Sequence, residues 1–384
     1  MSALTLTALA ENIYRARDIV ARELVGFIPS ILSNTDSEQV STGGTVDSIV
    51  TSQPTVNTSV TPSMTIPNGD AQTIAVKQLT LDKTASVRIP MTGENARKLS
   101  NIGQYQTAVD QMFAQAIRGI VNSIETNVGL ALDLSASRAT ATAGTTPFAS
   151  NFNSIADLRK ILVDNGTPVD DLSLIVDTSA GTKLRQISGL WQANTAGSDA
   201  TLRQGTLLDM HGFKIKESAQ VASHTKGTGA SYLVDLVAGY AVGDTTIHVD
   251  TGTGTILAGD VVVFDGDTTQ YVVKTGFAGD GDGDIVLQEP GLRAALANNA
   301  TVTVSATHAS NIGLHRQACE LAMRPIAEPE GGDAATDRII IADDMSPLVF
   351  TVSMYRGYHA AMMEVAAVYG TKVWKPEFTA KLLG

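Results

Sequence analysis

Thirty consecutive residues without a proline, Tyr105 to Leu134, constrain this chain more than any other stretch. Val109, Met112, Phe113, Ala116, Ile117, Ile120, Val121, Ile124, Val128, Ala131 and Leu132 recur at the three- and four-residue spacing that puts side chains on one face of a helix. At 1.5 Å per residue such a helix is about 45 Å long, more than twice the usual globular length. Gln111, Gln115, Arg118 and Asn122 line the opposite face, too polar for a membrane span and too sparsely charged for a free surface helix. The apolar spacing drifts from a strict heptad after Ile124, which disfavours a coiled coil. The expectation is a rigid spine with other elements laid along one side. Gly119 and Gly129 each cost roughly 1 kcal/mol relative to alanine in a helix. They mark either the close approach of another backbone or a hinge.

A chain of 384 residues with 43% hydrophobic content can bury a sizeable core, and its length suggests two or three domains. The net charge of −12 argues against phosphate-driven nucleic-acid binding, which needs clustered Lys and Arg to release counterions. Cys319 is the single cysteine, so no intrachain disulfide or thiolate metal site is expected, and a reducing cytosol is the natural compartment. Met1-Ser2-Ala3-Leu4 opens no basic region followed by an apolar run, and no segment reaches 18 uninterrupted apolar residues. Neither export nor membrane insertion is expected.

Residues 4–25 read as an amphipathic helix, with Leu6, Leu9, Ile13, Ala16, Val20 and Leu24 on one side and Gly26 and Pro29 ending it. Alone it would be marginal in water, so it must pack on something. From Glu23 to Val76 there is no lysine or arginine. Thr45–Thr51, Gln72–Leu81 and Ala85–Ile89 alternate as strands do. Gln53-Pro54, Thr61-Pro62 and Ile66-Pro67-Asn68-Gly69 punctuate the interval. This predicts an extended two-stranded arm with a long loop at its tip, and such a loop is either disordered or in contact with a neighbour.

After the spine, Ser135–Ser150 reads as a loop. A helix is expected over Ser154–Asn165, with Ile155, Leu158, Ile161 and Leu162 buried, Asn153 as N-cap and Gly166 as its stop. Asp171–Val176 reads as a strand, Ser179–Ser188 as a short helix, and Gly205–Glu217 as a strand pair turning at His211-Gly212. The mixture predicts an α+β region. The composition then changes: Tyr232–Ala306 holds nine Asp and one Glu against one Lys and one Arg, eight of the twelve net negative charges. Thr246–Val249, Asp260–Phe264, Thr269–Thr275, Asp284–Gln288 and Thr301–Val304 predict five short strands in a small barrel or sandwich, inserted into the host. Host pattern resumes at Asn311, and Leu348–Met354, Ala361–Tyr369 and Gly370–Trp374 read as half-buried strands.

No chemistry emerges from motifs. Gly252-Thr253-Gly254 has Leu257 where a dinucleotide fingerprint needs glycine, and no glycine run leads into Lys-Ser/Thr. Asp280-Gly281-Asp282-Gly283-Asp284 begins like a calcium loop, but Ile285 and Gly291 stand where glycine and glutamate are required, so an acidic, solvated hairpin turn is expected. The histidines at 211, 224, 248, 308, 315 and 359 lack metal-ligand spacing and read as satisfied surface or turn residues. Cys319 reads as a buried, inert thiol. No catalytic, cofactor-binding or metal-binding residue is assigned, and no enzyme activity is expected.

The order of parts, with several specific runs, resembles a tailed-bacteriophage major capsid protein of the Hong Kong 97 type, in the subgroup with an inserted β-barrel. Thr201-Leu202-Arg203-Gln204-Gly205 through Gly212-Phe213-Lys214-Ile215-Lys216-Glu217-Ser218 resembles the segment before the insertion, and Ala258-Gly259-Asp260-Val261-Val262 the barrel's own strand. Asn311-Ile312-Gly313-Leu314-His315-Arg316-Gln317-Ala318 with Ala322-Met323-Arg324-Pro325-Ile326 is similar to the run just after it, and Tyr369-Gly370-Thr371-Lys372-Val373 with Pro376-Glu377 to the C-terminal ending. The resemblance implies an α+β fold divided into an N-terminal arm helix (1–38), an extended β-hairpin loop (39–90), a peripheral domain (91–165 and 340–384) holding the spine helix 105–134, an axial domain (166–231 and 307–339) and the barrel (232–306). It implies hexamers and pentamers of identical chains in an icosahedral shell, formed by way of a scaffold-guided procapsid that expands as DNA enters.

Implied partners are therefore further copies of the chain, a scaffolding protein, a portal and a decoration protein, with passive contact to packaged double-stranded DNA. No sequence-specific nucleic-acid contact, cofactor or membrane is implied. The implied location is the virion, after assembly in the host bacterial cytoplasm. Arg15, Arg17 and Arg22 form the basic cluster of the first helix and read as either a scaffold or DNA contact or a solvated face. Two other classes fit less of the chain: a tail-tube or decoration protein, which has no need of the spine, and a calcium- or glycan-binding surface protein using the Asp-rich insertion.

Overall fold

In the computed structural model, which describes residues 26–34, 41, 43–51, 61–66, 74–101, 105–149, 151–187, 209–343 and 346–384, the proline-free stretch is one helix, Tyr105–Ser135. The expected helix over 4–25, the cluster of Arg15, Arg17 and Arg22, and the run 201–205 lie outside the described residues. Val109, Phe113, Ile117, Ile120, Ile124, Val128 and Leu132 are shut off from solvent along the spine helix. Each contributes about 2 kcal/mol of apolar transfer. At Gly129 a Cβ would press on the Phe27 ring, so this glycine lets another segment approach the helix, and the helix passes through it unbroken.

The stripe packs on a sheet built around the 14-residue strand Ala360–Val373. Lys83–Thr92 runs antiparallel along one edge of that strand, while Ser346–Gly357 and Cys319–Arg324 share the other. Ala335–Asp343 and Leu32–Asn34 complete the sheet. Phe350, Val352, Leu321, Val365, Ala367 and Tyr369 meet the helix in one core. Lys83–Thr92 corrects the arm expected over 39–90: its alternation is that of a host strand with ten partners on Ala360–Val373. The arm's own strands are Thr45–Thr51 and Ile74–Thr80. At its root Val46, Leu79 and Leu81 pack on Ala322, Val368 and Trp374. A Cβ at Gly370 would run into the Thr80 carbonyl, so only glycine allows this approach.

A second core lies under a different set of strands. Arg138–Thr140, Thr379–Leu383, His308–His315, Leu172–Val176 and Phe213–Glu217 are hydrogen-bonded in that order. Helices Asn153–Asp164 and Thr178–Gln186 bury Leu158, Leu162 and Leu184 on them. Asp177 caps the second helix by accepting from the backbone N–H of Ser179 and Ala180, and its own N–H donates to Asn311 Oδ1. Of the strand pair expected over 205–217, residues 205–208 lie outside the described residues; Met210 and Phe213 bridge antiparallel across the positive-φ turn at His211-Gly212, and Phe213–Glu217 also pairs in parallel with Leu172–Val176.

The division into 91–165 with 340–384 against 166–231 with 307–339 is corrected too. Helix Asn153–Asp164 and strand Thr379–Leu383 pack with the second core, whereas Cys319–Arg324 and Ala335–Asp343 belong to the spine sheet. Alternation shows that a strand has a buried face but not which sheet that face serves. Also unforeseen were helix Gly93–Asn101 and, in the supposed loop 135–150, strand Arg138–Thr140.

The acidic insertion is a closed barrel. Tyr232–Val234, Thr246–Gly252, Gly281–Leu287, Gln270–Thr275, Val261–Phe264 and Thr301–Val304 pair antiparallel in that circular order. Six strands replace the expected five, because Tyr232–Val234, too short to show alternation, is what closes the ring. Val234, Ile247, Val249, Phe264, Val273, Ile285 and Leu287 fill it. Asp282 and Asp284 are also corrected: they stand on a strand, not in a hairpin turn, and point outward opposite His248.

Candidate functional site

The described residues offer two surfaces for association. The arm strands pair only with each other among the described residues, leaving each with an unpaired backbone edge. Between them, Thr61–Ile66 is exposed, and Met64 and Ile66 present apolar side chains to water. Against the first half of the spine helix runs an open groove of about 790 Å³, walled by Val87, Ile89 and Pro90 on one side and Met112, Gln115 and Arg118 on the other. Asp110, also on its wall, has one buried carboxylate oxygen without a hydrogen-bond partner.

At the root of the barrel lies a buried cluster of charges. Asp133 comes from the last turn of the spine helix, His224 from the short strand Ser223–His224, Asp260 from the edge of the barrel, and Lys381 from the strand Thr379–Leu383. His224 Nδ1 is 3.2 Å from Asp133 Oδ2, and its Nε2 is 2.9 Å from Asp260 Oδ1. Lys381 Nζ is 2.6 Å from Asp133 Oδ1 and donates to the Gly259 carbonyl. The Asp133 and Lys381 side chains are 1% and 0% exposed. Asp260 also accepts from the backbone N–H of Gly227 and Leu257, tying the incoming connection to the barrel wall. Gly259 passes so close over His224 and Leu134 that a Cβ would not fit.

The electrostatics follow from these partners. Asp133 and Asp260 hold the His224 ring between them and raise its pKa to about 9. Burial alone would raise the Asp133 pKa, but the bond from His224 and the charge of Lys381 outweigh it and hold the carboxyl below its usual range. Burial lowers the Lys381 pKa against the attraction of Asp133. His308 packs its ring 5.5 Å from that of His224 and donates from Nδ1 to the Ala306 carbonyl; burial lowers its pKa.

Three histidines thus depart from the surface or turn placement expected of all six: His224, His308 and His315 lie inside, while His211 and His359 are exposed turn residues. His248 sits on the barrel wall between Asp282 and Asp284, at 2.5 and 2.6 Å. No group of three His, Cys, Asp or Glu suited to a metal occurs among the described residues. Cys319 is fully buried, and burial, with the neighbouring Glu320 charge, pushes its thiol up to about 12.

A third buried carboxylate anchors the chain ahead of the first core. Glu125, on the spine helix, accepts from the backbone N–H groups of Gly26, Phe27 and Ile28 at 2.6, 2.5 and 3.0 Å, and from Ser218. Burial raises its pKa against those bonds.

Among solved structures, the chain is similar to one from Mycobacterium phage Che8 (14% identity, TM-score 0.48, covering 93% of this chain and 90% of that one). It is similar to one from the capsid of the cyanophage P-SCSP1u (12%, TM-score 0.49, 92% and 86%) and to one from the mature capsid of bacteriophage PhiM1 (12%, TM-score 0.43, 94% and 86%). These are phage structures, two of them capsids by name. No family model and no curated protein matches the chain.

The sequence reading missed the barrel-root cluster because its members are 36 to 248 residues apart. Ala258-Gly259-Asp260 was singled out only as a likeness to a family strand. The other usable sign, an acidic Asp133 in the last turn of the spine helix beside the buried Leu132, points to a partner without naming it.

Proposed function

We propose that this chain is the major capsid protein of a tailed phage, assembling through hexamers and pentamers into the icosahedral shell that encloses the phage DNA. The observation that carries the reading is the arm. Two strands with free edges and exposed Met64 and Ile66 are rooted by Gly370 and Trp374 on a rigid sheet and spine, a form suited to lying over another copy. The groove beside Met112 and Gln115 offers such an arm an apolar seat.

The spine sheet with helix Tyr105–Ser135 serves as the peripheral part, the second core with helices Asn153–Asp164 and Thr178–Gln186 as the axial part around the ring centres, and the barrel as an insertion in the latter. Contacts that close by rotation build the rings, and many modest contacts per subunit make a durable shell. The role is structural, not catalytic. Scaffold guidance, a portal, a decoration protein and procapsid expansion follow from the family resemblance, and contact with the packaged double-stranded DNA is passive given the net charge of −12. The location is the virion, after assembly in the bacterial cytoplasm; no helix among the described residues is long and apolar enough to cross a membrane. Electron microscopy of the expressed protein, with and without its neighbouring reading frames, tests the reading: closed shells are expected, and a persistent monomer or an open tube under all conditions refutes it.

A further inference from the structure

The barrel is joined to the host by more than its two connections. Gln270 and Tyr271 pair with Ala139 and Arg138, so a barrel strand continues the host sheet. Gln288 Nε2 donates to the Leu134 carbonyl, and Gln270 Nε2 to that of Ala141. These are neutral contacts that water can replace singly, and the Arg293–Asp164 ion pair between barrel and host is partly exposed, its side chains at 42% and 29%. The Asp133–His224–Asp260–Lys381 cluster differs, because Asp133, Asp260 and Lys381 are buried with His224 only 9% exposed, and it takes one charge from each of four elements.

The proton inventory of His224 is set by geometry. Both ring nitrogens face carboxylate oxygens, and an ionised carboxylate only accepts, so both nitrogens must carry hydrogen and the ring is an imidazolium. Two carboxylates then balance two cations. Remove the ring proton and one carboxylate faces a lone pair, with Lys381 left to serve both acids. The neighbours do not supply a replacement: His308 uses its Nδ1 hydrogen on Ala306, and Gly259 and Leu134 close the remaining side.

We propose that this cluster is a proton-dependent lock that holds the inserted barrel in one orientation on the host, and that loss of the His224 proton opens the barrel root while the host cores stay folded. The lock is a property of the single subunit and does not rest on the capsid reading. It is fully engaged between roughly pH 4 and 6.5 and opens progressively toward alkali. Because the His224 pKa lies at about 9 in the closed root against an ordinary value near 6.5, the closed form holds one proton more than the open form between those values. The opening equilibrium therefore rises by up to about tenfold per pH unit from roughly pH 6.5 to 9, then levels off. Asp133 is ionised throughout this window and contributes no slope there. Lys381 and Asp260 face the ring from the strand and the barrel, and His308 from the sheet beside it; the lowered Lys381 pKa gives a slope of opposite sign where that group titrates, which caps the rise at its alkaline end, and the lowered His308 pKa keeps that ring neutral in the window.

The test is amide hydrogen exchange of the full chain from pH 6 to 10, normalised for intrinsic exchange, read at the root (residues 223–234, 257–263 and 304–310) and separately in the spine helix. Protection at the root that falls about tenfold per unit and then levels off, with the spine unchanged, supports the lock. Uniform protection across the range, or a root and spine that lose protection together, overturns it. The His224 carbon shifts, followed by NMR in the same wild-type chain, give an independent reading: a midpoint near 9 supports the proposal and one near 6.5 overturns it. In His224→Gln, which keeps one donor but cannot titrate, the root slope should vanish; a slope like that of the wild type refutes His224 as the group.

Discussion

At the residue scale, the sharpest consequences come from groups that are buried and singly sourced. Ile120 is buried at the centre of the helix stripe. Ile120→Asp places a carboxyl there without a partner and leaves a smaller side chain behind, a cost of roughly 4 kcal/mol or more. Soluble yield and urea denaturation of the variant check this, and unchanged behaviour would reassign the face. Glu125 satisfies three buried N–H groups at once. Glu125→Ala orphans them and should cost about 3 kcal/mol, measured as a shift of the urea midpoint. Gly370→Val would push into the Thr80 carbonyl. It should raise proteolytic cleavage in the arm well before it affects cleavage in the spine.

The pH behaviour of the charged cluster has two limbs of opposite sign. A raised histidine pKa gives stabilisation that is complete below about 6.5 and is lost as pH climbs to about 9. A depressed carboxyl pKa gives stabilisation present above about 4 and lost as pH falls through the lowered folded value of Asp133. The contribution of the pair to subunit stability should therefore peak between roughly pH 4 and 6.5 and decline on both sides. Comparing thermal midpoints of the wild type and Asp133→Asn across pH 3 to 10 checks it: the difference between them should be largest in that interval.

At the scale of elements, the arm separates folding from association. Its root is held by Val46, Leu79, Leu81 and Gly370, whereas Met64 and Ile66 touch nothing in the subunit that hides them from water. The double substitution Met64→Asp with Ile66→Asp should leave the subunit's thermal midpoint unchanged and suppress shell formation, read by sedimentation and microscopy. Shells of normal yield would move the contact elsewhere.

Element by element, legibility tracked locality. The spine helix was readable because eleven apolar residues repeat one spacing without a proline. The barrel was readable as short strands between Gly- and Asp-rich turns, but its closure depended on Tyr232–Val234, whose three residues carry no periodic signal. Lys83–Thr92 alternates as an arm strand would, and only its ten partners on Ala360–Val373 place it in the host sheet. The barrel-root charges left almost no trace, because Asp133 and Lys381 come together from positions 248 residues apart.

At the scale of the whole molecule, the distribution of charge sets what the assembled protein can hold. A net charge of −12, eight of it on the barrel, disfavours displacement of counterions from a duplex. Purified protein should retain no double-stranded DNA at about 150 mM salt in a gel-shift assay; retention that weakens with added salt would show a basic surface that the composition hides.

What the residues alone determined are the features that depend on near neighbours: the spine and its buried face, the polar arm with two strands, the acidic insertion, the inert cysteine, and the lack of any nucleotide or metal motif. Hydrophobic spacing and turn chemistry are short-range, so they survive being read in one dimension. Tertiary structure decided which sheet each strand joins, where the two host cores divide, and that a histidine, two aspartates and a lysine from distant places share one dry site. Strand pairing and ion pairing are chosen by free energy summed over the closed fold, and a linear pattern holds no record of which partner wins.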